Sequence, residues 1–217
     1  MKQMIPARVF HLVESSNWSS VQRYGLLSTC ELLKLTGVPP AIREHISTTQ
    51  RTRLTVLSDS VVIRDQRPMP PAALQKCLIG MTPAQWYALL NQKVFFWCDP
   101  ERLNRQHRAC GERPQIALTL DTEHLLSRHG DRVALTPFNT GNARRKPAVR
   151  GRATFVPYSA WLASGWRSEA DGLGVSRRHF SHPPVELTVA DAVPDAAEFI
   201  VAIEYLRPGD VFQYRNA

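Results

Sequence analysis

Nothing in the 217 residues approaches the roughly 20 consecutive apolar positions that cross a bilayer. The first residues, MKQMIPARVFHLVESSNW, lack the continuous apolar stretch of a secretory signal and are broken at Pro6, which leads us to expect a cytoplasmic protein without membrane partners. Cysteine is sparse: Cys30, Cys77, Cys98 and Cys110 are scattered and form no CxxC pair. His107 and Cys110 stand three apart, but no second pair follows at zinc-finger spacing, so a structural zinc is not expected. His179 and His182 lie near Glu186 without a fourth ligand, and no metal site is expected there either. There is no Gly-x4-Gly-Lys-Ser/Thr phosphate loop, no GxGxxG after a strand, no HExxH and no GxSxG. These absences remove P-loop, Rossmann, zincin and α/β-hydrolase chemistry from consideration. Heptads, internal repeats and linker-like segments are missing too, so a single domain over residues 1–217 is expected.

Acidic residues are also short, 19 against 27 lysines and arginines, for a net charge of +8. An excess of that size favours contact with a polyanion such as nucleic acid. The positive charge is clustered around Arg102, Arg105 and Arg108, in NARRKPAVRGR (142–152) and in SRRHFSH (176–182); each cluster also reads as a solvated loop.

What is present is a rich set of short elements. Ser28 and Glu31 have capping-box spacing ahead of LLKL, and Gly37 stops that helix. Pro40 suits the first position of AIREHIST. Thr82-Pro83 with Gln85 opens AQWYALLNQ, and Asp99-Pro100 opens ERLNRQH. Strand candidates are ARVFHLV, RLTVL, SVVIRD, KVFFWC, QIALTLD, RVALTPF, PVELTVA and EFIVAIEYL, most joined by loops and not by crossover helices. Together they predict an α+β protein with antiparallel or mixed sheets and helices mainly in the N-terminal half. Residues 139–184, dense in Gly, Pro and Arg, read as an irregular basic loop region.

Three features offer chemistry. His11 sits inside the apolar strand VFHLV, where a histidine is either a satisfied core residue or a site residue. Alternation in PVELTVA puts Val185, Leu187 and Val189 on one face and Glu186 and Thr188 on the other, which by itself makes Glu186 the solvent side of a half-buried strand. VFFW, with Phe95, Phe96 and Trp97, and the polar loop FNTG, with Asn139 and Thr140, could serve a stacked base, sugar or nicotinamide; VFFW could equally fill the core.

Two of these stretches resemble one family. VFHLVESSNWSSVQRYGLLS is similar to the opening strand and helix of DarT-type ADP-ribosyltransferases, and VELTVADAVPDAAEFIVAI to their closing segment. The whole chain also resembles an uncharacterised bacterial family, with GLLST, IRDQ, WYALLN, VFFW, NTG and RGRATF as signature pieces. The first resemblance implies split sheets facing across an NAD cleft, with NAD as co-substrate. It implies that His11 bonds the ribose hydroxyls and that Glu186 is the catalytic carboxylate, a fixed anion against the oxocarbenium-like charge left as nicotinamide departs. A buried Glu needs a cationic or hydrogen-bonding neighbour to stay ionised. Arg64 is the candidate for that cation or for a diphosphate clamp, or else is salt-bridged to Asp65. Arg43, Arg51 and Arg53 compete with it for the arginine expected after the first helix. Ser28 and Thr29 begin a helix whose N-terminus could face phosphate, and Phe96, Trp97, Asn139 and Thr140 complete the expected cofactor contacts. Arg150, Arg152 and Thr154 are expected to touch the acceptor or the diphosphate. The implied activity is ADP-ribosylation of a macromolecule, nucleic acid favoured over protein, with a cognate antitoxin or protein target as a partner. An RNA 2'-phosphotransferase using NAD and a non-catalytic basic nucleic-acid-binding module are the alternatives.

Overall fold

The first strand, β1 (Arg8–Glu14), carries apolar groups on both faces, Val9 and Val13 on one and Phe10 and Leu12 on the other, and therefore belongs in the middle of a sheet. In the computed structural model, which describes residues 5–57, 61–144, 146–179 and 181–214, it is third from an edge. Ser60, Arg145 and Phe180, which belong to the strand and basic-run readings above, lie outside the described residues.

The elements in chain order are β1, α1 (Trp18–Tyr24), β2 (Leu26–Leu27), α2 (Thr29–Leu35), α3 (Pro40–Thr48), β3 (Thr55–Val56), β4 (Val62–Ile63), α4 (Pro71–Gln75), α5 (Pro83–Asn91), β5 (Lys93–Trp97) and α6 (Pro100–Ala109). They continue with β6 (Gln115–Asp121), α7 (Thr122–His129), β7 (Val133–Thr136), β8 (Val156–Pro157), α8 (Tyr158–Ser164), α9 (Arg167–Leu173), β9 (Glu186–Ala190), β10 (Ala192–Val193) and β11 (Ile200–Leu206). The caps act as the sequence suggests: Thr82 and Gln85 bond reciprocally, and the Ser28 and Asp99 side chains accept from the Glu31 and Glu101 amides.

Seven strands form one sheet in the order β11-β6-β1-β5-β9-β7-β8, every pairing antiparallel, with β10-β2 and β3-β4 as separate two-stranded pairs. The expected α+β class with antiparallel pairing is what is found. Two expectations need correction. The first concerns the sheet, which is not divided into two. Its halves remain joined between β1 and β5, but at the single registered pair Phe10–Trp97, whereas β1 pairs with β6 along its whole length and β5 with β9 along its own. Beyond that pair β1 and β5 part, and the sheet is split along part of one seam.

The second concerns residues 139–184, which are not uniformly irregular. They contain α8 and α9, seven residues each and followed by Gly165 and Gly174, too short to reveal a 3.6-residue period. α8 and the turn before α9 bring Trp161 and Trp166, both buried, into the apolar cluster that also holds Val9, Val13, Leu118, Leu187 and Val189. Burying roughly 200 Å² per indole ring, at about 25 cal/mol per Å², contributes on the order of 5 kcal/mol each before entropy. The opposite face is filled by Phe10, Leu12, Leu103 and Phe212 under α6, and a third cluster gathers around Trp86, Tyr87 and Phe155. Among the described residues no helix is long and apolar enough to cross a membrane.

Candidate active site

Where β1 and β5 separate, a cavity of about 690 Å³ opens, lined by His11 to Glu14 of β1, by Lys93, Phe95 and Trp97 of β5, and by Glu186 at the start of β9. The segment 62–69 forms another wall through Arg64, Gln66 and Met69, and α6 with the turn after it contributes Arg102, Arg105 and Arg113. The loop 139–142 closes the side next to Glu186.

Glu186 is 3 % exposed, because β9 is an interior strand registered against Trp97 of β5 and Thr136 of β7. The solvent-facing reading from alternation is therefore corrected: both faces of β9 are covered, and Glu186 is turned to the cavity while Thr188 is buried on the Ala134 carbonyl. The carboxyl group is held by Thr136 and Thr140. Thr140 Oγ1 donates to Oε2 at 2.8 Å and the Thr140 amide is shared between both oxygens at 3.2 Å, while Thr136 Oγ1 lies 2.8 Å from Oε2 and 2.9 Å from the Phe138 carbonyl, with one proton between them. Burial pushes its pKa up to about 7, against the pull of these hydrogen bonds and of the Arg102 charge.

His11 is fixed by the seam itself. Its Nδ1 lies 2.7 Å from the Phe95 carbonyl, an acceptor, so Nδ1 carries the proton and Nε2 is left as an acceptor. Burial, with Arg64 adding to it against the Phe95 bond, lowers its pKa to about 4, so the ring is neutral at pH 7. A neutral imidazole with an unprotonated nitrogen can accept from a hydroxyl.

Arg64 lines the cavity but is not paired with Asp65. Its Nε donates to Glu14 Oε1 at 2.7 Å and its Nη2 to Gln115 Oε1. Arg113 Nε and Nη2 and Gln115 Nε2 complete the bonding of Glu14, which is 4 % exposed. Burial would raise the Glu14 pKa, but Arg64, Arg113 and Gln115 together hold it below the usual carboxylate value. Arg102 is a cation whose charge acts on Glu186, whereas Arg64 is bonded to Glu14, so its expected role beside Glu186 is corrected to that of a partner for Glu14. Of the competing arginines, Arg51 also reaches the cavity wall, where its guanidinium is spent on Asn91 and the Arg64 and Ile46 carbonyls.

The other expected residues divide. Trp97, Asn139, Thr140 and Thr29 line the cavity; the Ser28 side chain is buried in its capping bond behind it. Phe96 is corrected: strand parity sends it, fully buried, into the core, while the partly buried Phe95 and Trp97 face the cavity. Arg150, Arg152 and Thr154 lie outside the lining. Arg150 is 1 % exposed, Arg152 is on the surface, and Thr154 is buried with its hydroxyl accepting from the Gly151 amide. Glu14, Arg102 and Arg113 were not foreseen. Glu14 had a signal, since it shares the buried side of β1 with Phe10 and Leu12, where an acid must find partners. Among the described residues no cluster of three or more His, Cys, Asp or Glu could hold a metal ion.

Fold and site together define an α+β protein whose antiparallel sheet parts at one seam around a buried carboxylate and a neutral histidine. The model of one family, described as a family of unknown function (DUF7002), matches residues 7–200, and the chain belongs to that family. Comparison with curated proteins gives no match. Among solved structures, Thermosipho africanus DarTG in complex with ADP-ribose is similar at 15 % identity with a TM-score of 0.39; the alignment covers 90 % of this chain and 43 % of that one, so the chain spans less than half of that protein's length.

Proposed function

We propose that the chain is an NAD-dependent ADP-ribosyltransferase. The observation that carries the reading is that His11 and Glu186, from opposite ends of the sequence, line one cavity at the parted seam of the sheet. The residues present suit NAD. A cavity of about 690 Å³ is in the range of small-molecule sites, Phe95 and Trp97 offer faces for planar rings, and Arg102 offers a forked donor for a diphosphate. His11 Nε2 accepts from a ribose hydroxyl. In the reaction the bond between nicotinamide and the ribose carbon breaks, nicotinamide leaves with the bonding electrons, and the acceptor's nucleophile bonds to that carbon and gives up its proton to solvent water. Glu186 contributes as an anion close to the developing positive charge, held in place by Thr136 and Thr140 so that no reorganisation is needed at the moment of reaction.

For the acceptor we propose a macromolecule, nucleic acid before protein, on the basis of the net charge of +8 and of Arg102 and Arg105 at the cavity. An antitoxin or other protein partner that covers the cavity belongs to the same proposal. The same arginines also suit a 2'-phosphorylated RNA, and an RNA of that kind offered with NAD separates a phosphotransferase from the favoured reading. The central test is incubation with labelled NAD and either nucleic acid or cell lysate. Label should appear on a macromolecule with the wild type and vanish with Glu186→Ala; label that persists in the variant, or no calorimetric response to NAD, sinks the assignment.

A further inference from the structure

Arg150 is a buried cation without a carboxylate of its own. It is 1 % exposed and among the described residues forms no ion pair, an arrangement that costs free energy unless the charge is used. Its backbone is pinned, the amide donating to the Cys77 carbonyl and the carbonyl accepting from the Ile79 amide, both at 2.8 Å. Its guanidinium lies 5.0 Å from the Phe138 ring centre and 5.8 Å from that of Trp86. Nε donates to the Ala148 carbonyl at 3.0 Å and Nη1 to the Thr140 carbonyl at 3.1 Å. Thr140 is the residue whose amide and hydroxyl close on Glu186. Its carbonyl and amide flank the same Cα, so anchoring the one orients the other. Burial lowers the Arg150 pKa, against the pull of the Cys77 thiol beside it and of the Glu186 carboxylate.

We infer that Arg150 is a positioning residue for Glu186, holding the Thr140 carbonyl so that the amide and hydroxyl of Thr140 stay on the carboxylate, and stabilising its anion through the same loop. This rests on the proposed role of Glu186, but it is tested without turnover. The other charged or titratable groups around Glu186 are Arg102 of α6, Cys98 just after β5, and His11 across the cavity, and the variants leave all three in place.

The experiment is a pH titration of the Glu186 carboxyl carbon by NMR in the full chain, with amide hydrogen exchange at Thr140 and, as a control, at Leu187 and Val189 of β9. In Arg150→Gln the Glu186 midpoint should rise by about one pH unit, and Thr140 exchange should quicken by about tenfold, with the β9 amides unchanged. Arg150→Lys, which keeps the charge and is the safer variant for folding, should quicken Thr140 exchange with a smaller rise in the midpoint. Wild-type midpoint and exchange in either folded variant overturn the inference, as does equal quickening of the β9 amides, which would mark a merely structural role. If the shifts occur but NAD is not consumed, the proposed function fails and the positioning role stands.

Discussion

Glu186, which acts as an anion in the proposed reaction, is held close to its own titration point, and the pKa of His11 in the same cavity is displaced the opposite way. Both shifts carry consequences for stability. The Glu186 pKa is raised from 4.5 to about 7, so between those values the folded state keeps a proton that the unfolded state has lost, and stability falls as pH rises. The His11 pKa is lowered from 6.5 to about 4, so between those values the unfolded state holds the extra proton, and stability falls as pH drops. From pH 4.5 to 6.5 the two slopes oppose each other; Glu14 and Asp195, whose values are lowered, lose their stabilisation only as pH falls further. We therefore predict that thermal melts of Glu186→Gln gain stability on raising the pH from 4 to 6.5, and that melts of His11→Gln lose it from 4.5 to 7. At pH 8 Glu186→Gln should be more stable than the wild type by on the order of 3 kcal/mol, since one pKa unit is worth about 1.4 kcal/mol. Equal melting curves at pH 8 would contradict the buried, proton-holding carboxylate. In turnover the same group should give an acid limb, with the rate rising as pH increases through about 7.

Among the elements, the turn at Gly25 bears most directly on the site. It joins α1 to β2 with φ of 73°, and a Cβ there would come within 2.3 Å of the Val193 carbonyl oxygen and 2.6 Å of Pro194 Cα. Only glycine fits, because both the left-handed backbone and the close approach exclude a side chain. Gly25→Ala should cost more than about 3 kcal/mol in denaturant melts and loosen the β2-β10 pair, which joins the opening and closing segments of the chain. Thr82→Ala, by contrast, removes the exposed cap of α5 and should cost about 1 kcal/mol without affecting NAD binding. The contrast matches what was legible locally. Caps and prolines act within four residues, and α2, α3, α5 and α6 begin where those signals stand. Six of the expected strands form over four residues or more, RLTVL and SVVIRD over only two (β3 and β4), and the two-residue strands β2, β8 and β10 carry no period that could be read. Parity was the weak point in β5: Phe95 and Phe96 are chemically alike, and only the register with β9 decides which one faces the cavity.

At the scale of the molecule, one sheet runs beneath all three apolar clusters, which leads us to expect a single cooperative unit. Near-ultraviolet and far-ultraviolet circular dichroism should then lose their signals in one coincident transition; two separated transitions would argue for independent halves on either side of the Phe10–Trp97 seam. The charge of +8 predicts that any affinity for single-stranded nucleic acid falls steeply with salt, measured as the slope of log affinity against log salt concentration.

From the sequence alone came the α+β class, the main strands, several helix starts and the absence of four nucleotide and hydrolase motifs, because each depends on residues close together in the chain. The pairing of His11 with Glu186 as a site came from resemblance, and alternation had assigned Glu186 to solvent. Tertiary structure decided that β9 is an interior strand, so its polar face is buried and its carboxylate must be satisfied by Thr136 and Thr140. It also decided which arginines meet which acids: Arg64 and Arg113 serve Glu14, Arg102 acts on Glu186, and Arg150 is spent on the loop behind it. Charge pairing acts through space over a few ångströms, and residues that far apart in sequence are brought within that range only by the order of strands in the sheet.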